Sequence, residues 1–338
     1  MPLPARQLRV ALVGVGSAAT RAHLPALAAS ETEGALRLVG ICDHDRERRQ
    51  AVVAGHPGAR GFADNDEMLE AVAPDLLVIA TPPSAHLAEM AAAAGRGIQV
   101  LCEKPLGLSG DDVACLRRIA AAHPGLALAT VHQYRHARPW AWLARAAAGA
   151  LRDGEELELT VSVERPGTDP LSAGGWRTDP EHEGGILGDH AVHYLALLHL
   201  LDPGCVVTGC HSQGPGGREV ASVEARIGAA GRARVDVSYA GARRRNLISL
   251  ARPSQCLEMA WEDGTLRVRH TRTGRSSERR VQSLSDRVVV NALYQPMYAE
   301  LVERIDEPAW RAAATAHTVG VAQLLADSLR LARVPAAL

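Results

Sequence analysis

The chain has 338 residues, 47% of them hydrophobic but only 3% aromatic, and a formal net charge of -1. That length and apolar content suffice for two domains with substantial cores. The near-zero charge excludes a global field that would gather nucleic acid or an anionic membrane. Six cysteines without a CxxC pair suit reduced thiols in the cytoplasm better than a disulfide framework or a structural zinc. Neither a secretory leader nor a run of about 18 uncharged apolar residues is present, so the expectation is a soluble cytoplasmic protein.

The first 130 residues alternate short apolar runs with helical patterns. Leu8 to Gly14, Leu36 to Asp43, Asp75 to Thr81, Ile98 to Glu103 and Leu126 to His132 are almost continuously apolar, the mark of strands buried on both faces of a parallel sheet. Helices are expected between them, at Ser84 to Gly95 and Ser109 to His123, the latter with Ser109, Asp111 and Asp112 as its capping signal. Strand and helix in alternation predict a doubly wound α/β Rossmann domain over residues 1–128.

Beyond about residue 150, Glu156 to Glu164, Val223 to Ala230, Ala233 to Tyr239, Asn246 to Arg252 and Thr265 to Thr271 alternate apolar and polar residues. This pattern predicts an open, mainly antiparallel sheet with one wet face. With helices expected at Gly185 to Leu201, Arg287 to Ile305 and Ala313 to Arg333, residues 129–338 read as an α+β domain.

The segment VALVGVGSAAT places Gly14, Gly16 and Ala19 in G-x-G-x-x-G/A spacing between the first strand and a helix. Gly14 permits a tight turn, Gly16 lets backbone approach a pyrophosphate, and Ala19 allows helix to pack on strand. The loop residues Ser17 and Ala18 start the helix whose N–H groups face the phosphate. A purely structural glycine turn is the competing reading. Asp43 ends the second strand, 27 residues beyond Gly16, and would accept a hydrogen bond from a ribose 2′-hydroxyl, favouring NAD. Arg46 and Arg48 soften that preference and leave NADP open.

One residue stands out by rarity. Of 37 basic residues only Lys104 is a lysine. Arginine stays charged at any usable pH, whereas lysine can trade protons. Lys104 follows a strand of the nucleotide domain, at the end where open parallel sheets bind ligands, and Pro105 restricts its backbone. The same logic puts Thr81, Pro82 and Pro83, and then His132 and Gln133, beside the cofactor. In the second domain Asp189 and His193 lie four apart in a helical pattern and so share a face. Hydride transfer to a carbonyl needs a proton donor, and histidine suits neutral pH; a structural histidine is the alternative. Histidines 182, 190, 193 and 199 raise the question of a metal, but no H-E-x-x-H string or nearby cysteine supports one, and none is expected.

These stretches, together with ICDHDRER, the segment from VIATPPSAHL to CEKPLGLS, and GGILGDHAVH, resemble the glucose–fructose oxidoreductase/inositol dehydrogenase family, the Gfo/Idh/MocA group, along essentially the whole chain. The resemblance implies that Lys104, Asp189 and His193 are the catalytic lysine, aspartate and histidine: His193 the acid or base, Lys104 polarising the substrate oxygen, Asp189 orienting His193 and the substrate. It also implies that His86, Glu103 and Gln133 line the nicotinamide side, and that the second domain forms a homodimer or homotetramer through its sheet. Gln133 stands where the family often has Asn, and His132, His136 and His190 are further departures. Trp176 and Arg177, with His132 and His190, are candidate substrate contacts. The reaction implied is NAD(P)-dependent oxidation or reduction of a sugar, amino sugar or cyclitol. An NAD-retaining glycosidase and a non-catalytic dinucleotide-binding sensor are the alternatives.

Overall fold

The computed structural model describes residues 7–167, 184–214, 218–262, 265–282 and 293–333. Contacts divide the chain into two compact units. The first holds Met1–Leu106, Ala114–Gln133 and Val290–Val319; the second holds Gly107–Val113, Tyr134–Val289 and Gly320–Leu338.

In the first unit, strands β1 (Leu8–Val13), β2 (Leu36–Cys42), β3 (Arg60–Phe62), β4 (Leu76–Ile79), β5 (Gln99–Cys102) and β6 (Leu128–Thr130) form one parallel sheet in the order β3-β2-β1-β4-β5-β6. The continuous apolar runs have their expected cause: Val10, Leu12, Leu77, Val78 and Val100 are fully buried. The order reverses between β1 and β4, and the carboxyl ends of strands at such a switch point form a ligand crevice. The connecting helices are α1 (Leu24–Thr32), α2 (Arg46–Ala54), α3 (Asn65–Val72), α4 (Pro83–Gly95) and α5 (Gly110–Ala122). The expected cap of α5 is present, Ser109 Oγ accepting from the Asp112 N–H at 3.1 Å. A late helix, α8 (Tyr294–Arg304), belongs to this unit too: Tyr294, Met297, Tyr298 and Leu301 join the core made by Val10, Leu12, Leu27 and Leu36.

The segment ahead of α1 is widened into a π-type turn at Ala19–His23, closed by Leu24 N–H donating to the Ala19 carbonyl. Pro25 gives the reason. It lacks an N–H, and its ring would clash with the carbonyl four residues back, so the wider turn relieves the conflict. The turn leaves His23 fully buried.

The second unit carries an eight-stranded sheet of β7 (Leu157–Pro166), β8 (Val206–Gln213), β9 (Val220–Ile227), β10 (Gly231–Gly241), β11 (Arg245–Arg252), β12 (Gln255–Glu262), β13 (Thr265–Arg272) and β14 (Arg275–Gln282), ordered β14-β13-β12-β11-β7-β10-β9-β8. Every pairing is antiparallel except β7 with β10. Alternation does the sorting: Leu157, Leu159, Val161 and Val163 of β7 are buried on one face, and the residues between them look the other way. Helices α6 (Arg138–Asp153) and α7 (Val192–Leu201) belong here, and the long α9 (Pro308–Ala332) divides between the units at Val319 and Gly320. Helix α7 is buried from Val192 to His199 without a wet face. The helix expected from Gly185 therefore begins with a second π-type turn, Leu187–Ala191, where Val192 N–H reaches the Leu187 carbonyl. The first residues of the helix expected at 287–305 lie outside the described residues.

Candidate active site

The glycine loop of the first unit is fixed by sterics. Gly14 has φ +84°, and a Cβ there would stand 2.7 Å from the Ala80 carbonyl carbon and oxygen and from the Thr81 nitrogen. Only glycine lets β1 end this close to the end of β4. Gly14→Ala is expected to cost on the order of 2–3 kcal/mol through backbone strain and clash, read as a lower urea midpoint together with weaker NADH binding. At Gly16, by contrast, nothing lies within 4 Å of a Cβ position, which is the open approach a pyrophosphate requires. Ser17 is exposed and Ala18 half-buried, while Ala19 is fully buried and packs the turn.

Asp43, buried at the end of β2, is held from two sides. Oδ2 accepts from the Val15 N–H and Oδ1 from the Asp45 N–H, both at 2.8 Å. It thus braces the glycine loop while keeping a carboxylate at the sheet's carboxyl edge. Thr81 donates to Glu89 Oε2 at 2.5 Å, and burial pushes the Glu89 carboxyl up to about 7 against the lowering effect of that hydrogen bond. Pro82 precedes α4 as its cap and Pro83 opens the helix. Sequence reasoning passed over Glu89, because a carboxylate two turns into a helix reads as a solvated face.

His86 and Glu103, expected to line the nicotinamide side, are both buried. His86 is fully buried, with Nε2 2.9 Å from the Thr81 carbonyl and Nδ1 3.1 Å from the Pro105 carbonyl. It straps the loop after β4 to the loop after β5, and burial lowers its pKa despite both carbonyls. Glu103 Oε1 is 2.9 Å from His23 Nε2 and accepts from the Tyr294 hydroxyl at 2.9 Å; Oε2 accepts from the Lys104 N–H at 3.3 Å. His23 Nδ1 in turn lies 2.7 Å from the Tyr298 hydroxyl. Burial works to raise the Glu103 pKa, but the His23 hydrogen bond and charge, the Lys104 charge and the Tyr294 hydroxyl together bring it down to about 2. Lys104, half-buried, therefore sits on a backbone held by a carboxylate that stays ionised near neutral pH. His132 is buried with its ring edge-on to His317 at 5.2 Å.

The second unit gathers the other predicted pair. Asp189, in the π-type turn, is 9% exposed and accepts from the Tyr239 hydroxyl at 2.7 Å. Burial first, then the Asp189 charge and hydrogen bond, push the Tyr239 phenol above its ordinary pKa, so Tyr239 remains a donor at every working pH. His193, buried on the first turn of α7, has its ring 4.5 Å from that of Tyr134. His190 stands edge-on to His193 at 6.2 Å and to Tyr239 at 6.0 Å. The turn itself is pinned by Glu219, whose Oε2 accepts from the Ile186 N–H at 2.7 Å; burial raises the Glu219 pKa against that bond. Trp176 and Arg177 lie outside the described residues. Among the described residues no three His, Cys, Asp or Glu side chains gather as metal ligands, and no helix is long and apolar enough to cross a membrane.

The residues of the first unit fit a dinucleotide. Gly16 leaves its approach open, Asp43 keeps a buried carboxylate at the end of β2 beside the glycine loop, and Gln133, 4% exposed beyond β6, has an Oε1 without a hydrogen-bond partner among the described residues, an acceptor suited to a carboxamide N–H. A parallel sheet of this order with such a loop defines a dinucleotide-binding domain. Residues 8–129 match the oxidoreductase family GFO_IDH_MocA with its NAD-binding Rossmann fold, and residues 154–250 match that family's C-terminal alpha/beta domain; the chain belongs to this family. It is 40% identical over 120 residues to inositol 2-dehydrogenase 4 of Saccharopolyspora erythraea, a match covering 34% of this chain and 33% of that protein. It is 27% identical over 270 residues to D-apiose dehydrogenase of Paraburkholderia graminis, covering 78% of this chain and 68% of that one. The fold is similar to that of an oxidoreductase from Agrobacterium radiobacter solved with NAD+, L-tartaric acid and magnesium, with a TM-score of 0.76 and 18% identity over 97% of this chain and 98% of that one.

Proposed function

We propose that the chain transfers hydride between NAD and a secondary alcohol or ketone of a sugar, amino sugar or cyclitol, with Lys104, Asp189 and His193 as its catalytic residues. The observation that carries this reading is the Tyr239–Asp189 hydrogen bond, which fixes a buried carboxylate one turn ahead of His193. The relatives named as inositol and apiose dehydrogenases support a polyol substrate. Bound NAD supplies the hydride acceptor. His193 takes the hydroxyl proton in oxidation and returns it in reduction, work suited to imidazole near neutral pH. Asp189, oriented by Tyr239, favours the protonated imidazole and holds a substrate hydroxyl. Lys104 polarises the substrate oxygen with a charge that can also release a proton. Gly14, Gly16, Ser17, Ala18, Ala19, Asp43, Thr81, Pro82, Pro83 and Gln133 hold the cofactor. The protein works in the cytoplasm as a homodimer or homotetramer through the sheet of the second unit.

The test is a titration of NADH against NADPH, followed by sugars and inositols monitored at the nicotinamide absorbance. NADH is expected to bind at least about tenfold tighter, because a 2′-phosphate would meet the Asp43 charge. Asp43→Ala should shrink that ratio, and equal affinities in the parent protein would refute the assignment of Asp43. Bound NADH with hydrolysis of a glycoside and no net reduction would replace the dehydrogenase reading by a glycosidase.

A further inference from the structure

One basic group of the second unit is buried without an ion pair among the described residues. Arg165, near the end of β7, is 9% exposed. Its Nη1 donates to the Glu164 carbonyl and to Asn246 Oδ1, both at 2.8 Å, and among the described residues it forms no ion pair. Both acceptors are neutral, so among the described residues no carboxylate meets the guanidinium directly, and a buried charge is retained at a cost unless something balances it.

The sheet register shows what Arg165 stands beside. In the β7–β10 pairing Ser238 opposes Glu164 and Gly241 opposes Pro166, with an irregularity between them, so the next residues along, Arg165 and Tyr239, fall side by side on the buried face. The Arg165 charge acts on the Tyr239 hydroxyl, the group that holds Asp189. On the other side of Arg165, Asn246 of β11 is opposed by Trp261 of β12. The Trp261 indole N–H is buried and has no hydrogen-bond partner among the described residues. Arg165, without an ion pair among the described residues, and the unpaired Trp261 indole therefore lie in neighbouring rows on the sheet face that also carries the tyrosine orienting Asp189. A buried guanidinium bonded only to neutral oxygens among the described residues, beside an unpaired indole donor, describes a site for an anionic acceptor, and the planar arginine fork matches carboxylate and phosphate oxygens in pairs.

We propose that Arg165, supported by Asn246 and Trp261, is a subsite for an anionic group carried by the substrate, making the substrate an acidic polyol, either a sugar carboxylate or a sugar phosphate. This rests on the dehydrogenase reading for the word substrate, while the anion subsite itself does not. The negative charges of Asp189 and Glu219 in the same region sharpen the requirement. An anion is accommodated only where the guanidinium receives it directly.

The experiment is calorimetric titration of the full chain, with and without NADH, using D-glucuronate, D-gluconate and D-glucose 6-phosphate against the neutral D-glucose and myo-inositol. At least one anionic ligand is expected to bind tenfold or more tightly than D-glucose, and which one answers separates carboxylate from phosphate. Arg165→Met should reduce that preference to within about threefold without lowering the melting temperature, since it removes a buried charge that forms no ion pair among the described residues; Arg165→Lys should recover part of it. Equal binding of neutral and anionic ligands, no binding of any anionic ligand, or a preference that survives Arg165→Met overturns the subsite. So does an Arg165→Met protein that melts lower and loses all ligands alike, which is the signature of a structural arginine. Turnover is read separately. An Arg165-dependent preference without hydride exchange leaves the subsite standing and defeats the dehydrogenase reading, whereas turnover of neutral polyols with no acidic preference does the reverse.

Discussion

Lys104→Met is expected to lower kcat by about two to four orders of magnitude, the span that positioned proton-transfer and charge-stabilising groups supply, while NADH binding changes by no more than a few fold. Methionine keeps the length and apolar stem of lysine and removes the charge, so the loss isolates the ammonium. Lys104→Arg should not restore the rate. The guanidinium keeps its proton at every working pH and is broader than an ammonium, so it can neither release a proton nor take the same place. The architecture of the first unit keeps the experiment interpretable. The backbone N–H of Lys104 is held by Glu103, whose other partners are His23 and Tyr294, and none of these three hydrogen bonds uses the Lys104 side chain. A kcat within tenfold of the parent, with the melting temperature unchanged, would mean that the lysine is not part of the reaction and that its rarity reflects codon composition alone.

Rarity was the most informative signal in the sequence, and it extends beyond the lysine. The chain has five tyrosines. Tyr134, Tyr194 and Tyr239 surround His190, His193 and Asp189, and Tyr294 and Tyr298 close on His23 and Glu103. In a chain so poor in aromatics, Tyr239, Tyr294 and Tyr298 each bring a hydroxyl to a buried polar group, and Tyr134 and Tyr194 bring rings to the histidines. Counting tyrosines would have pointed to both networks, although not to which tyrosine serves which. The parallel sheet was legible because burial on both faces leaves no polar residue to interrupt a strand. The strands that escaped notice lacked the relevant pattern. Arg60–Phe62 is too short to show a period, and Arg275–Gln282, at the sheet's edge, carries Val281 as its single apolar residue. Beta strands β8 and β12 mix small, polar and sulfur-bearing residues along both faces, which hides the alternation. Helix α6 was missed through its alanine-rich repeat, and the place of α8 in the first unit was illegible, because an amphipathic face does not say which sheet it covers. The two π-type turns were equally hidden: Pro25 announces the first only in retrospect, and nothing in Leu187–Ala191 announces the second.

The second large effect is expected at Glu103, and it separates the loop's scaffold from its chemistry. Glu103→Ala removes the acceptor shared by His23 and Tyr294 and leaves two buried donors facing a void. The expected loss is about 3–5 kcal/mol, as for other buried pairs broken from one side, read as a lower urea midpoint. The variant combining His23→Leu and Glu103→Leu with Tyr294→Phe and Tyr298→Phe removes every polar member of this network and should recover much of that loss, because the cost lies in the orphaned groups rather than in the missing attraction. The pH dependence gives an independent sign. The carboxyl titrates at about 2 in the folded chain against an ordinary 4.5, so the folded state favours the ionised form. Its contribution is complete above pH 4.5 and is lost as the pH falls from there toward 2, about 3 kcal/mol over that window. The parent protein should therefore lose stability steeply between those pH values, and Glu103→Gln, which keeps the shape but has no proton to gain, should flatten that part of the curve. An acid limb that keeps its slope in Glu103→Gln would show that other carboxylates drive acid unfolding and that Glu103 is not held ionised by His23. A flattened limb, together with a rate defect in Glu103→Gln smaller than that of Lys104→Met, would establish that Glu103 acts by fixing the loop and the lysine by chemistry.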